Sequence, residues 1–127
     1  MDRIKDGMVN YIASLTNLDK ISDSMCIIGL PYFMSDGDGV SVLVERKQDG
    51  TYIISDDGDT LNIHANRWVR RLPDKVSKED YKNMEKRLGG FSLEREGLII
   101  YKENISEQDL YKEIFRLAQL AVEISYT

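Results

Sequence analysis

The stretch GVSVLVERKQDGTYIIS, residues 39–55, decides the fold. Val40, Val42 and Val44 alternate with Ser41, Leu43 and Glu45, the period-two pattern of a strand with one buried face. Gln48-Asp49-Gly50 then offers a tight hairpin turn, and TYIIS is a β-prone return strand. Towards the N-terminus, MCIIGLPYFM at 25–34 is apolar nearly throughout. Pro31 cannot donate to a ladder, so this strand is expected to end, or to lie at an edge, near Pro31. SDGDG at 35–39 is a loop. Together these runs predict a three-stranded antiparallel meander.

Before the meander, Ile4, Met8, Val9, Tyr11, Ile12 and Leu15 recur at helical intervals, which predicts an amphipathic helix over 3–15 with Gly7 as a mild weakness. After it, TLNIHANRWVRRL at 60–72 reads as a helix stopped by Pro73. A second helix starts at Ser77 as N-cap, with Asp80 answering and Val76 and Tyr81 as a hydrophobic staple, and ends at Gly89-Gly90. FSLEREGLIIYKEN at 91–104 predicts two short strands around Gly97. The last helix is capped by Ser106 and Asp109, stapled by Ile105 and Leu110, and striped by Leu110, Ile114, Leu117, Ala121 and Ile124. The order is helix, three strands, two helices, a short β-hairpin, helix. Strands run together rather than alternating with helices, so the class is α+β, in one domain over 1–127.

Size and composition agree. At 127 residues, with 42% hydrophobic and 31% charged residues, the chain can bury a core without staples. A single cysteine, Cys26, forms no internal disulfide or cysteine cluster and is expected as a buried thiol, in keeping with a reducing cytoplasm. No stretch reaches the ~18 apolar residues of a membrane span, and the charged start MDRIKDGM is unlike a signal peptide. The net charge of −5, from 17 basic and 22 acidic residues, argues against a general phosphate-binding surface.

The chemistry centres on Asp56, Asp57 and Asp59, three carboxylates within four positions. One reading is structural. Asp-Gly makes the turn, and Asp59 or Thr60 accepts an orphan amide at the helix start, worth about 1 kcal/mol. Carboxylates near a helix N-terminus gain about 0.3–1 kcal/mol, and two carboxylates ~5 Å apart in water repel by about 0.8 kcal/mol. These terms nearly cancel, so the cluster requires no metal. The other reading is a divalent-cation site shared with Asp36 and Asp38, although neither loop has EF-hand spacing.

Glu45-Arg46-Lys47 matches the glutamate-any-lysine element of restriction-type nucleases. There Glu45, Lys47 and Asp57, or Asp38 in its place, would serve a Mg²⁺-dependent reaction. Asp38 lies seven residues from Glu45, about 23 Å along an extended strand, too far to share one ion. His64, the only histidine, has no triad or zinc partners and is expected on a helix face. Arg67, Arg70, Arg71 and Lys75 around Trp68 form either a basic contact patch or a solvated helix face with Trp68 in the core; the core reading is preferred.

Leu30-Pro31-Tyr32, Asp38 before the valine-rich strand, and Tyr52-Ile53-Ile54-Ser55-Asp56-Asp57-Gly58 resemble a known pattern. It is that of an uncharacterised domain family of bacteria and their phages, domain of unknown function number 1828. That pattern is a Thr-Pro-Phe-like strand, an aspartate loop, then Tyr-x-Leu-Thr-Asp-Asp-Gly. This chain departs from it with Leu30 for Thr, Ile54 for Leu and Ser55 for Thr. The resemblance implies a small α+β domain of bacterial or phage cytoplasm, often mobile-element cargo. It implies no activity and carries over no catalytic residue.

The expectation is therefore a non-catalytic binding protein without cofactor or metal. It would be phage or mobile-element encoded and would inhibit a host defence nuclease in the manner of an anti-CRISPR protein. The contact surface would be the acidic loops, Asp36, Asp38, Asp56, Asp57 and Asp59, and the partner a protein, for instance a nucleic-acid-binding effector. No direct nucleic-acid or membrane contact is expected. The alternatives are the Mg²⁺-dependent nuclease-like domain and an accessory domain that forms a homodimer through short edge strands at 91–103.

Overall fold

The computed structural model describes residues 1–61, 78–94 and 96–126. The elements are α1 (Asp2–Leu15), β1 (Asn17–Ser22), β2 (Met25–Phe33), β3 (Gly39–Arg46), β4 (Tyr52–Ser55), α2 (Lys78–Lys86), β5 (Ser92–Glu94), β6 (Ile99–Ile105) and α3 (Glu107–Ser125). All strand pairings are antiparallel, in one six-stranded sheet of order β1-β2-β3-β4-β6-β5.

The α+β class and the central meander hold, and the meander gains a strand. β1 pairs with β2 from Asn17↔Gly29 to Ser22↔Met25, over residues to which the sequence patterning assigned no element. All six of its residues are exposed. It is held by its ladder, not by a buried face, so hydrophobic patterning gave no signal. Pro31 is tolerated inside β2 because β1 stops opposite Gly29, and the pairing with β3 shifts register between Leu30 and Phe33. The missing donor therefore falls beyond the reach of one neighbour and in an irregularity facing the other.

In the hairpin turn, Gly50 has φ 85° and donates to the Lys47 carbonyl, while the Asp49 carboxylate accepts from the Thr51 hydroxyl and amide. The Thr51 hydroxyl bond, chiefly, holds the Asp49 carboxyl below its ordinary value.

Register sorts the strand residues. Val40, Val42 and Val44 lie opposite Leu30, Ile28 and Cys26, and Val44 opposite Ile54, so these share one face. α3 crosses that face against β2, β3 and β4. Val42, Ile54, Ile100, Leu117, Ala118 and Ala121 are essentially inaccessible there. Each fully buried aliphatic side chain contributes roughly 1.5–3 kcal/mol, which makes this layer the main source of stability. Cys26 is only half-buried, a correction to the expected buried thiol, because it sits towards the β1 side of the face.

The C-terminal half follows its patterning. Ser106 caps α3, its hydroxyl accepting from the Asp109 amide, and the five stripe residues of α3 are all buried. α2 ends before Gly89 and Gly90, both at positive φ, as a C-terminal glycine stop requires. The strands around Gly97 pair as a hairpin, but β6 also pairs with β4 and is interior. This corrects the expected edge at 91–103: among the described residues it is β5, three residues long, that forms the sheet's edge there.

Residues 59–61 open a helical turn where the helix after the aspartates was expected. The rest of that helix, Pro73, His64, the Arg67/Trp68/Arg70/Arg71/Lys75 patch and the Ser77 cap lie outside the described residues. So do the side chains of Asp80 and Tyr81.

Candidate functional site

The three aspartates divide by strand parity. Ile54 faces the core and Ser55 faces away, so Asp56 turns inward again and is 4% exposed. Its carboxylate accepts three backbone amides: Gly58 at 2.9 Å and Ile100 at 2.9 Å on Oδ1, and Thr60 at 3.1 Å on Oδ2. Its own amide donates to the Ile100 carbonyl at 3.0 Å. One side chain thus closes the turn, caps the helical start and ties β4 to β6. Asp56 thus takes part in capping the helical start, beside the cap expected from Asp59 or Thr60, whose amide partners would lie outside the described residues. Asp57 and Gly58 have φ 55° and 83°, and the Asp59 amide donates to the Asp56 carbonyl across them. Positive φ at both central positions is the requirement of a type I′ turn. Asp57 and Asp59 are exposed.

The second acidic loop is also built from inward bonds. The Met34 amide donates to the Asp38 carbonyl at 2.7 Å and the Gly37 amide to the Met34 carbonyl at 2.9 Å, with Gly37 at φ 91°. The Asp36 carboxylate accepts from the Asp38 amide at 3.0 Å. Ser35 fastens the loop to the end of α3: its amide donates to Ser125 Oγ at 3.0 Å, and its hydroxyl to the Ser125 carbonyl at 2.6 Å. Asp36 and Asp38 are exposed on this tied loop.

The antiparallel register places the start of β3 and the end of β4 at the same end of the sheet. Met34 and Gly39, which flank the loop of Asp36 and Asp38, line one small pocket with Asp56, Asp59 and Thr60. Thr60 is fully buried there, and its Oγ1 makes no hydrogen bond among the described residues. No group of three or more His, Cys, Asp or Glu side chains is placed to hold a metal ion among the described residues.

Glu45 and Lys47 lie at the other end of β3. Glu45 pairs with Ile53 and Met25 and faces away from α3. Two residues of extended strand separate Ile53 from Ser55 and two more lead to Asp57, roughly 13 Å at strand rise. Lys47 occupies the hairpin turn. The structure does not bring Glu45, Lys47 and Asp57 together, and Asp38 stands at the far end of Glu45's own strand.

A second charged cluster went unread in the sequence. Glu113 on α3 is buried and pairs with Lys102 Nζ at 3.1 Å and with Arg116 Nη1 at 2.8 Å. Burial raises its carboxyl pKa, but hydrogen bonds from Lys102 and then Arg116 prevail and hold it below its ordinary value. Both cations also lie over the Phe91 ring, 5.7 and 5.6 Å from its centre, and Arg116 donates to the Gly89 carbonyl. The cluster joins β6, α3 and the turn before β5. Its signal was a glutamate three residues after Leu110 and four before Leu117, on the buried stripe.

The family described as domain of unknown function DUF1828 matches residues 30–124, and the chain belongs to that family. The match includes both acidic loops and leaves α1 and β1 outside it. Neither a curated protein nor a solved structure matches the chain.

Proposed function

We propose that this chain is a non-catalytic binding protein that occupies a basic, nucleic-acid-binding surface on a larger protein. In its concrete form it is encoded by a phage or mobile element and inhibits a host defence nuclease, such as a CRISPR effector, in the bacterial cytoplasm. The observation that carries this reading is the pair of anchored acidic loops. Asp36, Asp38, Asp57 and Asp59 are exposed on loops whose backbones are fixed by internal hydrogen bonds and which border one pocket. Carboxylates held before binding lose little conformational freedom on contact, and a basic channel would meet a complementary potential. Asp56 is set apart from this surface, because its oxygens already accept three amides.

The test is a pull-down and cleavage assay with a purified CRISPR nuclease at stated salt. The variant carries Asn at 36, 38, 57 and 59 and retains Asp56. The expected result is a stoichiometric complex that protects target DNA, weakened at least tenfold in the variant. Equal binding by the two proteins would sink the acidic-surface reading, and absence of any complex or protection would sink the inhibitor reading with this nuclease.

A further inference from the structure

α1 is a helix whose apolar stripe is left exposed among the described residues. Ile4, Met8, Val9, Tyr11, Ile12 and Leu15 are between 39% and 67% exposed, and no residue of the helix is buried. Fourteen residues are marginal as an isolated helix in water, so the stripe needs a surface to lie on. Ile4, Met8, Tyr11 and Leu15 are spaced four, three and four residues apart. That is the a/d spacing of a seam that packs knobs into holes against another helix.

We infer that α1 is the self-association surface of this protein, pairing antiparallel across a two-fold axis with α1 of a second copy. The seam is self-complementary, as an isologous contact requires. Charge selects the same occupant. The chain carries −5 overall, but in α1 the charges of Asp2, Arg3, Lys5 and Asp6 cancel, so two copies meet at this face without net repulsion. All four charges lie in the first half of the helix, and residues 7–15 carry none. Antiparallel packing sets each charged half beside the partner's uncharged half. Parallel packing would gather both charged halves at one end of the pair. Gly7 flanks the seam, and a Cβ there would meet nothing within 4 Å, so a partner backbone has room to approach.

A membrane surface fits less well, because interfacial helices present a polar face rich in Lys and Arg and this one is balanced. Pairing through the edge of β1 is also disfavoured. Asp19 and Lys20 stand at its centre, and its ladder shifts register between Lys20 and Ser22, both familiar protections of an edge.

The apolar surface continues past the helix. Leu15 shares a groove with Leu30, Pro31, Phe33 and Val40, and Phe33 is 63% exposed. Helix seam and groove together would bury on the order of 1,000 Å² in total, at the lower limit of specific interfaces. The expected dimer is therefore weak, with a dissociation constant in the micromolar range.

The test is sedimentation velocity on the full chain from about 1 to 500 µM, for the wild type and for Met8→Glu/Tyr11→Glu. Neither substituted side chain is buried, so the domain should fold, and circular dichroism melts at low concentration check this. The expected wild type moves from 14.6 kDa to twice that mass, while the variant remains a monomer throughout. A monomeric wild type, a stoichiometry other than two, or a variant that dimerises as well as the wild type would overturn the inference. Cosedimentation of monomeric wild type with phosphatidylserine–phosphatidylcholine vesicles would overturn it in favour of a membrane contact.

Discussion

Asp56→Asn removes one charge and one acceptor from a site that uses both. The amide oxygen can keep the Gly58 and Ile100 bonds now made by Oδ1. The new NH₂ group must then face the Thr60 amide, donor against donor. Leaving that buried N–H unpaired costs about 1–3 kcal/mol. The two surviving bonds pass from a charged acceptor to a neutral one, at roughly 1 kcal/mol each. The sum, about 3–5 kcal/mol, is a large share of the ~5–15 kcal/mol by which a domain of this size is stable. At ~3–5 °C per kcal/mol, the melting temperature should fall by roughly 10–20 °C. Asp57→Asn is the matched control: it is exposed at φ 55°, a conformation Asn accepts readily, and should stay within about 0.5 kcal/mol of wild type. Thermal melts followed by circular dichroism measure both. Hydrogen exchange should show the Ile100 and Thr60 amides losing protection first in Asp56→Asn. Melting within 3 °C of wild type, or an unchanged Ile100 amide, would refute the assignment of Asp56 as the joint between β4, β6 and the following turn.

Three further outcomes follow from the same geometry. Glu113 has a folded pKa below its unfolded one, so its contribution is present above the unfolded value and is lost as pH falls through the folded value; melts from pH 7 to pH 2 should show this acid loss, and Glu113→Gln should flatten it while lowering stability near pH 7 by about 1–3 kcal/mol. Thr60→Val deletes a buried hydroxyl that bonds to nothing among the described residues, and urea unfolding should find it neutral or up to about 1 kcal/mol more stable, whereas a loss above 1 kcal/mol would mean that the hydroxyl is bonded in solution. Leu117→Ala opens a cavity beneath the sheet and should cost about 2–5 kcal/mol by the same assay, with no change in the oligomeric state.

The sequence disclosed whatever depends on local periodicity. The valines of β3, the cap and stripe of α3 and the glycine stop of α2 each announce themselves within a few residues. β1 did not, because NLDKIS buries nothing and exists through its bonds to β2. The aspartates were half legible. Two-residue parity from Ile54 would have turned Asp56 inward, but only the β4–β6 pairing shows that the Ile100 amide waits there, 44 residues away. The same holds for Glu113, whose place on the α3 stripe marks it as buried, while its partner Lys102 is set by the register of another strand. The stripe of α1 was legible as amphipathic, yet amphipathicity implies a covering surface without saying whether that surface belongs to the same chain.

The two proposed surfaces are neighbours, and their salt dependences must therefore differ in sign. α1 ends at Leu15, which shares a groove with Phe33 and Gly39, the residues on either side of the 34–38 loop. In the antiparallel dimer the two acidic ends lie at opposite ends of the seam, but each copy still carries a net charge of −5, so like charges oppose a contact that is otherwise apolar and locally neutral. Screening over a Debye length of about 10 Å at 0.1 M salt relieves that repulsion, so self-association should tighten as salt rises. Binding of the acidic loops to a basic channel is attraction between unlike charges, and the same screening weakens it. Raising NaCl from 50 to 500 mM should thus increase the dimer fraction in sedimentation while decreasing capture of the basic partner. If both fall together, the helix seam is held by charge and not by its apolar stripe. If both rise, the acidic loops are not what the partner reads.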